Sequence, residues 1–109
     1  MAGTAISSID DAAFEAEVIK SDVPVLVDFT ATWCGPCKAL TPVLEQVAGE
    51  YAGRAKVVKV DIDNARQTAI KYMVRSVPTL LLFKGGGVVE QHVGLANAKR
   101  LKEMLGKAL

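Results

Sequence analysis

Hydrophobic patterning predicts an α/β domain on one mostly parallel sheet, and three observations carry that prediction. Short β-branched runs alternate with longer stretches of helical period along the whole chain. The last two predicted strands are separated only by Lys84, Gly85, Gly86 and Gly87, too few residues for a crossover, so they must pair antiparallel. A length of 109 residues, 50% of them hydrophobic, suits one domain over 1–109 with its own core.

The elements follow in order. An apolar stretch at 5–9 leads to Asp10, an N-cap for a helix over 11–20 whose Phe14 and Val18 share one face at i and i+4. The run 24–30 is continuous, apolar and too short for a helix, the pattern of a central strand buried on both faces. A long helix spans 34 to about 51, with Leu40, Val43, Leu44 and Val47 at helical spacing. Pro42 should kink it, because the proline ring meets the carbonyl of Lys38, and Gly53 closes the element. Residues 56–62 alternate Val58, Val60 and Ile62 against Val57, Lys59 and Asp61, which is strand period. A short helix at 64–72 precedes the hairpin strands at 79–83 and 88–93. Asn97 caps a last helix with Leu101, Met104, Leu105 and Ala108 in one apolar stripe. The order is βαβαβαββα.

Thirteen Lys and Arg against twelve Asp and Glu leave a net charge of +1, which excludes binding to nucleic acid or anionic membrane by bulk charge. No apolar run approaches the ~20 residues of a membrane span. The amino-terminal residues MAGTAISSIDDAAFEAE hold acids where an export signal has none, so a cytoplasmic location is expected. In a reducing compartment two cysteines point to redox or metal chemistry. A structural zinc site takes four ligands, and two cysteines with the single His92 cannot supply them, so no metal is expected. His92 reads as an exposed residue sharing a strand face with Val88 and Glu90, and Gly85, Gly86 and Gly87 read as a hairpin turn.

Chemistry concentrates where the strand 24–30 hands over to the long helix. Cys34 and Cys37 are three apart at a helix start, within disulfide reach of each other. Cys34 sits at the helix N-terminus, where free backbone N–H groups favour a thiolate, and is expected to be the more exposed sulfur. Cys37, one turn in, stays a thiol. Gly35 allows a tight turn, and Pro36 in the first turn forfeits no helical hydrogen bond. Asp28 is an acid inside an apolar strand; desolvation there raises its pKa and suits it to exchange protons with Cys37, with Lys59 of the neighbouring strand within approach. Trp33, beyond the apolar strand, reads as an exposed contact surface.

The segment Trp33-Cys34-Gly35-Pro36-Cys37-Lys38 after Val25-Leu26-Val27-Asp28-Phe29 resembles the thioredoxin family, and the resemblance extends over nearly all 109 residues. Ser76-Val77-Pro78-Thr79 resembles the segment carrying that family's cis-proline, and Val93-Gly94 resembles its partner beside the active site. Pro42, Asp61, Ile62, Asp63 and the terminal helix also fall in place, whereas Thr30 stands where many bacterial members have tryptophan. The resemblance implies the thioredoxin fold, a central five-stranded mixed sheet flanked by four helices. It implies a thiol–disulfide oxidoreductase that reduces protein disulfides through Cys34 and Cys37, with Asp28 and Lys59 as a supporting pair. Trp33, Gly35, Pro36, Val77, Pro78 and Gly94 would then form the substrate surface, with Pro78 in a cis bond that base rates alone disfavour. No dinucleotide fingerprint is present, so no bound cofactor is expected and electrons must come from another protein, by resemblance a thioredoxin reductase using NADPH. A monomer is expected. An oxidase or isomerase on the same fold, or a binding subunit without turnover, are the rival functions.

Overall fold

Parity along the strands decides which side chains meet which helices. The computed structural model describes residues 6–109: β1 (Ile6–Ile9), α1 (Asp11–Phe14), β2 (Val25–Thr30), α2 (Gly35–Glu50), β3 (Lys56–Asp61), α3 (Arg66–Lys71), β4 (Thr79–Lys84), β5 (Gly87–Val93) and α4 (Ala98–Ala108). Ala5, the start of the first predicted stretch, lies outside the described residues. The sheet order is β1-β3-β2-β4-β5, with β1, β3 and β2 parallel, β4 antiparallel to β2, and β5 antiparallel to β4. β2 is therefore the middle strand, which is why its residues read as a continuous apolar run rather than an alternation.

Val25, Val27 and Phe29 of β2 join Val58 and Val60 of β3 and Leu81 and Phe83 of β4 in a core with Phe14 and Val18. Leu26 joins Val57, Leu80 and Leu82 on the opposite face, against Leu40, Leu44 and Val47 of α2 and Leu101, Met104 and Leu105 of α4. Asp28 shares the parity of Leu26 and lies on the α2 face of the sheet. The first core is completed by Phe14, Tyr72 and Phe83, whose ring centroids lie 5.2 to 5.6 Å apart.

Both predicted N-caps form: Asp10 Oδ1 accepts the Ala13 N–H at 3.0 Å and Asn97 Oδ1 accepts that of Arg100 at 2.9 Å. Past Phe14 the first helix widens into a π-helical turn, Glu15–Ile19, closed by the Lys20 N–H on the Glu15 carbonyl. α3 has Ala65 at its cap position, which offers no side-chain acceptor. Asp11 replaces it from α1, accepting the backbone N–H groups of Thr68 and Gln67 and the Thr68 hydroxyl. The hydroxyl bond, opposed by desolvation, holds the Asp11 carboxyl below its ordinary 3.8. Stability from this cap is present above the unfolded pKa and lost as pH falls through the depressed folded value.

α3 ends without a glycine. The Val74 N–H reaches the Ala69 carbonyl at 2.9 Å and the Met73 N–H that of Ile70 at 3.0 Å, a Schellman closure with Met73 in the left-handed region at φ +58°. A side chain there costs about 1 to 2 kcal/mol of backbone strain, and Met73 is 70% exposed. Met73→Gly is accordingly expected to raise stability by up to about 1 kcal/mol once the greater freedom of unfolded glycine is subtracted. A urea midpoint that stays level or falls would contradict this reading of Met73.

The hairpin departs from expectation in two respects. Lys84 and Gly87 pair, so the connection shrinks to Gly85 and Gly86, whose φ angles of +61° and +88° are those of a type I′ turn. A register shift between Leu82 and Phe83 sets Val88 opposite Phe83 and Glu90 opposite Leu82. This bulge moves Val88 off the face that Glu90 and His92 share. His92 is also not a bare surface residue: half-buried, it bonds the Leu95 carbonyl through Nε2 at 2.8 Å and accepts Arg100 Nε–H on Nδ1 at 3.3 Å. Arg100 in turn pairs with Glu90 at 3.1 Å, tying β5 to α4. α2 runs unbroken through Pro42 from Gly35 to Glu50.

Candidate active site

Cys34 is the N-cap residue of α2, with extended backbone, and its Sγ accepts the Cys37 N–H at 3.1 Å. A sulfur occupies the place where Ser or Asp usually satisfies a free helix donor, so negative charge on it is stabilised by that N–H and by the helix dipole. Pro36 lies in the first turn, as expected. Cys34 and Cys37 are joined by a disulfide across a Cα–Cα distance of 5.3 Å. The expected contrast in exposure is small in this oxidised state: Cys34 is 4% and Cys37 2% exposed. Backbone position, more than access, therefore distinguishes the two sulfurs.

Ala31, Ile62 and Val77 pack against the disulfide. Strand period marks Ile62 only as a strand residue; its contact with the cysteines follows from the end of β3 lying beside that of β2, where the Ile62 N–H donates to the Thr30 carbonyl. The Val77–Pro78 peptide is cis. The Gly94 N–H donates to the Pro78 carbonyl at 2.9 Å, with Gly94 at φ +97°. Gly35 and Pro36 are exposed, Val77 and Gly94 half-buried, and Pro78 buried, so proline contributes backbone rather than ring surface. Trp33 is 66% exposed, and its indole N–H donates to Asp63 Oδ2 at 2.8 Å. That bond fixes the ring plane beside the cysteines, and no local pattern in the chain marks it. Thr30 is half-buried at the end of β2.

Asp28 is fully buried and neither carboxyl oxygen has a hydrogen-bond partner among the described residues. Burial pushes its pKa up from 3.8 to about 7, with the positive charge of Lys59 pulling the other way. Strand register sets Lys59 directly opposite Asp28. The two do not form an ion pair, however; the Lys59 ammonium donates to the Thr41 hydroxyl at 3.1 Å. Cys37, Thr41 and Lys59 line one cavity of about 240 Å³ together with Lys38, Asp61 and Ser8. A nucleophile at a helix head, a second thiol one turn on, and a protonatable buried carboxyl on the adjoining strand are parts sufficient for dithiol–disulfide exchange.

The thioredoxin family model matches residues 5–107. The chain belongs to the thioredoxin family. It is 50% identical over 101 residues to thioredoxin C-2 of Corynebacterium nephridii, covering 93% of each chain. Identity to thioredoxin 1 of Nostoc is 47% over 97% of this chain and 99% of that one, and to the thioredoxin of Pseudomonas aeruginosa 49% over 92% and 93%. Its five-stranded mixed sheet and four helices are the thioredoxin fold, and its chemistry is thiol–disulfide oxidoreduction at Cys34 and Cys37. Among the described residues no helix is long and apolar enough to cross a membrane.

Proposed function

We propose that this thioredoxin-family protein works as a reductase of disulfides in substrate proteins, with Cys34 as nucleophile and Cys37 as resolving thiol. The observation that carries the assignment of roles is the Cys37 N–H donating to Cys34 Sγ at the head of α2. In the reduced protein the Cys34 thiolate attacks one sulfur of the substrate disulfide. A Cys34–substrate disulfide forms, the substrate bond breaks, and the departing thiolate takes a proton from solvent. Cys37 then gives its proton to the Asp28 carboxylate and attacks Cys34 Sγ, which releases the second substrate thiolate and closes Cys34–Cys37. Two electrons pass from the pair to the substrate. Lys59 balances the charge that Asp28 carries before the transfer.

Trp33, Gly35, Pro36 and Val77 give an extended substrate segment a surface beside Cys34, with the backbone at the cis Val77–Pro78 bond and Gly94 bounding it. A thioredoxin reductase drawing on NADPH returns the electrons, and the protein acts as a monomeric single domain in the cytoplasm, where a reductase meets reducible targets. Gly35-Pro36 between the cysteines favours reduction over the oxidase reading by its likeness to reductases.

Limiting iodoacetamide near neutral pH is expected to alkylate Cys34 of the reduced protein well before Cys37, as read by mass spectrometry of the labelled peptides. Preferential label on Cys37 would reverse the roles.

A further inference from the structure

Asp28 and Lys59 oppose each other on adjacent parallel strands and face the same layer, yet the ammonium is bonded elsewhere. Its acceptor, the Thr41 hydroxyl, donates its own hydrogen to the Cys37 carbonyl at 3.3 Å, one turn back along α2. With that hydrogen committed, the oxygen lone pairs are left to receive Lys59. The hydroxyl thus links the backbone of the resolving cysteine to the one cation opposite the buried acid. We propose that Thr41 is a positioning residue for the resolving step: it holds the Lys59 ammonium on the α2 side of the cavity and leaves the Asp28 carboxylate without a cation bonded to it.

The reason lies in what an unbonded carboxylate can do. A direct ion pair would stabilise the charged carboxylate and make it a weaker base toward the Cys37 thiol. Held on Thr41, Lys59 still acts through space but leaves the oxygens of Asp28 free to receive a proton. The other charged groups facing this cavity are Lys38 from α2 and Asp61 from β3, while β1 contributes Ser8. On the remaining sides β4 sets Leu80 opposite Asp28, and α4 presents Leu101, Met104 and Leu105 to this layer, so neither offers a competing charge. Removing the hydroxyl takes away the acceptor that Lys59 has. Asp28 then stands opposite the half-buried ammonium in the strand register. Asp61 on the same cavity is the rival carboxylate, and its capture of Lys59 would leave the Asp28 midpoint unmoved.

This inference rests on Asp28 as the proton acceptor, and its test is read without turnover so that the two stand or fall separately. The Asp28 carboxyl carbon of the oxidised protein is followed by NMR from pH 4 to 9 in the wild type and in Thr41→Val, a near-isosteric change, with Thr41→Ala as a second variant should valine disturb packing. Both are expected to move the titration midpoint down by about one pH unit or more, the size of effect a newly bonded cation has on a carboxylate. Thr41→Ser should titrate as wild type. In a Lys59→Met background the Thr41→Val change should have no effect, since the cation it releases is gone. A midpoint that stays or rises on loss of the hydroxyl, a serine variant that shifts as valine does, or a shift that survives Lys59→Met each overturns the positioning role. Slow turnover of Asp28→Asn tests the acceptor role independently.

Discussion

Cys37→Ser is expected to abolish multiple turnover and to leave substrate proteins covalently joined to Cys34. The first attack needs only the Cys34 thiolate, and that sulfur keeps its place at the α2 N-terminus when Cys37 is changed, because its bond comes from the backbone N–H of residue 37 rather than from a side chain. Serine cannot form the second disulfide, so the mixed disulfide persists. Cys34→Ser is expected to capture nothing, since Cys37 lies one turn inside α2, away from the free N–H groups at the helix head that stabilise a thiolate at position 34. Non-reducing electrophoresis with a disulfide-bonded test protein separates the outcomes. Equal capture by both variants would contradict the order of attack, and full function of a double serine variant would favour a binding subunit without turnover.

Asp28→Asn is expected to keep the fold and to slow the resolving step, by ~10²-fold where general-base catalysis contributes fully. The loss should depend on pH. Below about 7 the wild-type carboxyl is itself largely protonated and resembles the amide, so the two proteins converge; above it only the wild type offers a base. Stopped-flow oxidation of the reduced protein by a model disulfide, read from pH 5 to 9 through Trp33 fluorescence, measures this. Coincident profiles would leave Asp28 a structural residue. Stability gives the matching thermodynamic result. The folded carboxyl holds its proton up to about 7 whereas an ordinary one loses it near 3.8, so wild-type stability should fall as pH rises between these values and level off above them. Three pKa units correspond to about 4 kcal/mol, an upper figure for what Asp28→Asn recovers at pH 8, since a buried amide also lacks partners. The variant should show no such slope.

What the chain reveals by pattern is what period and caps encode. The βαβαβαββα order, the buried middle strand and the Asp10 and Asn97 caps all depend on residues within one element, and each forms as expected. The CxxC pair at a strand-to-helix junction is local in the same sense. Features that depend on partners far along the chain stay hidden. Asp11 capping α3 joins residues 56 and 57 positions apart, and Trp33 finds Asp63 at a separation of 30. The bulge that parts Val88 from Glu90 follows from pairing with β4, so alternation along β5 alone misplaces Val88. Met73 takes a position where glycine is the usual signal, which leaves the end of α3 unmarked. Strand period correctly sets Lys59 beside Asp28, but its bond to Thr41 depends on how α2 lies over the sheet.

Whether the Cys34–Cys37 pair gives electrons to substrate disulfides or takes them is decided by its reduction potential. Equilibrating the protein in dithiol buffers of graded composition, with Trp33 fluorescence reporting the oxidised fraction, yields that potential directly. A strongly reducing value is expected, close to the about −270 mV of thioredoxin itself. A value near about −120 mV, where dedicated disulfide oxidants lie, would contradict the reductase assignment and reverse the direction of electron flow.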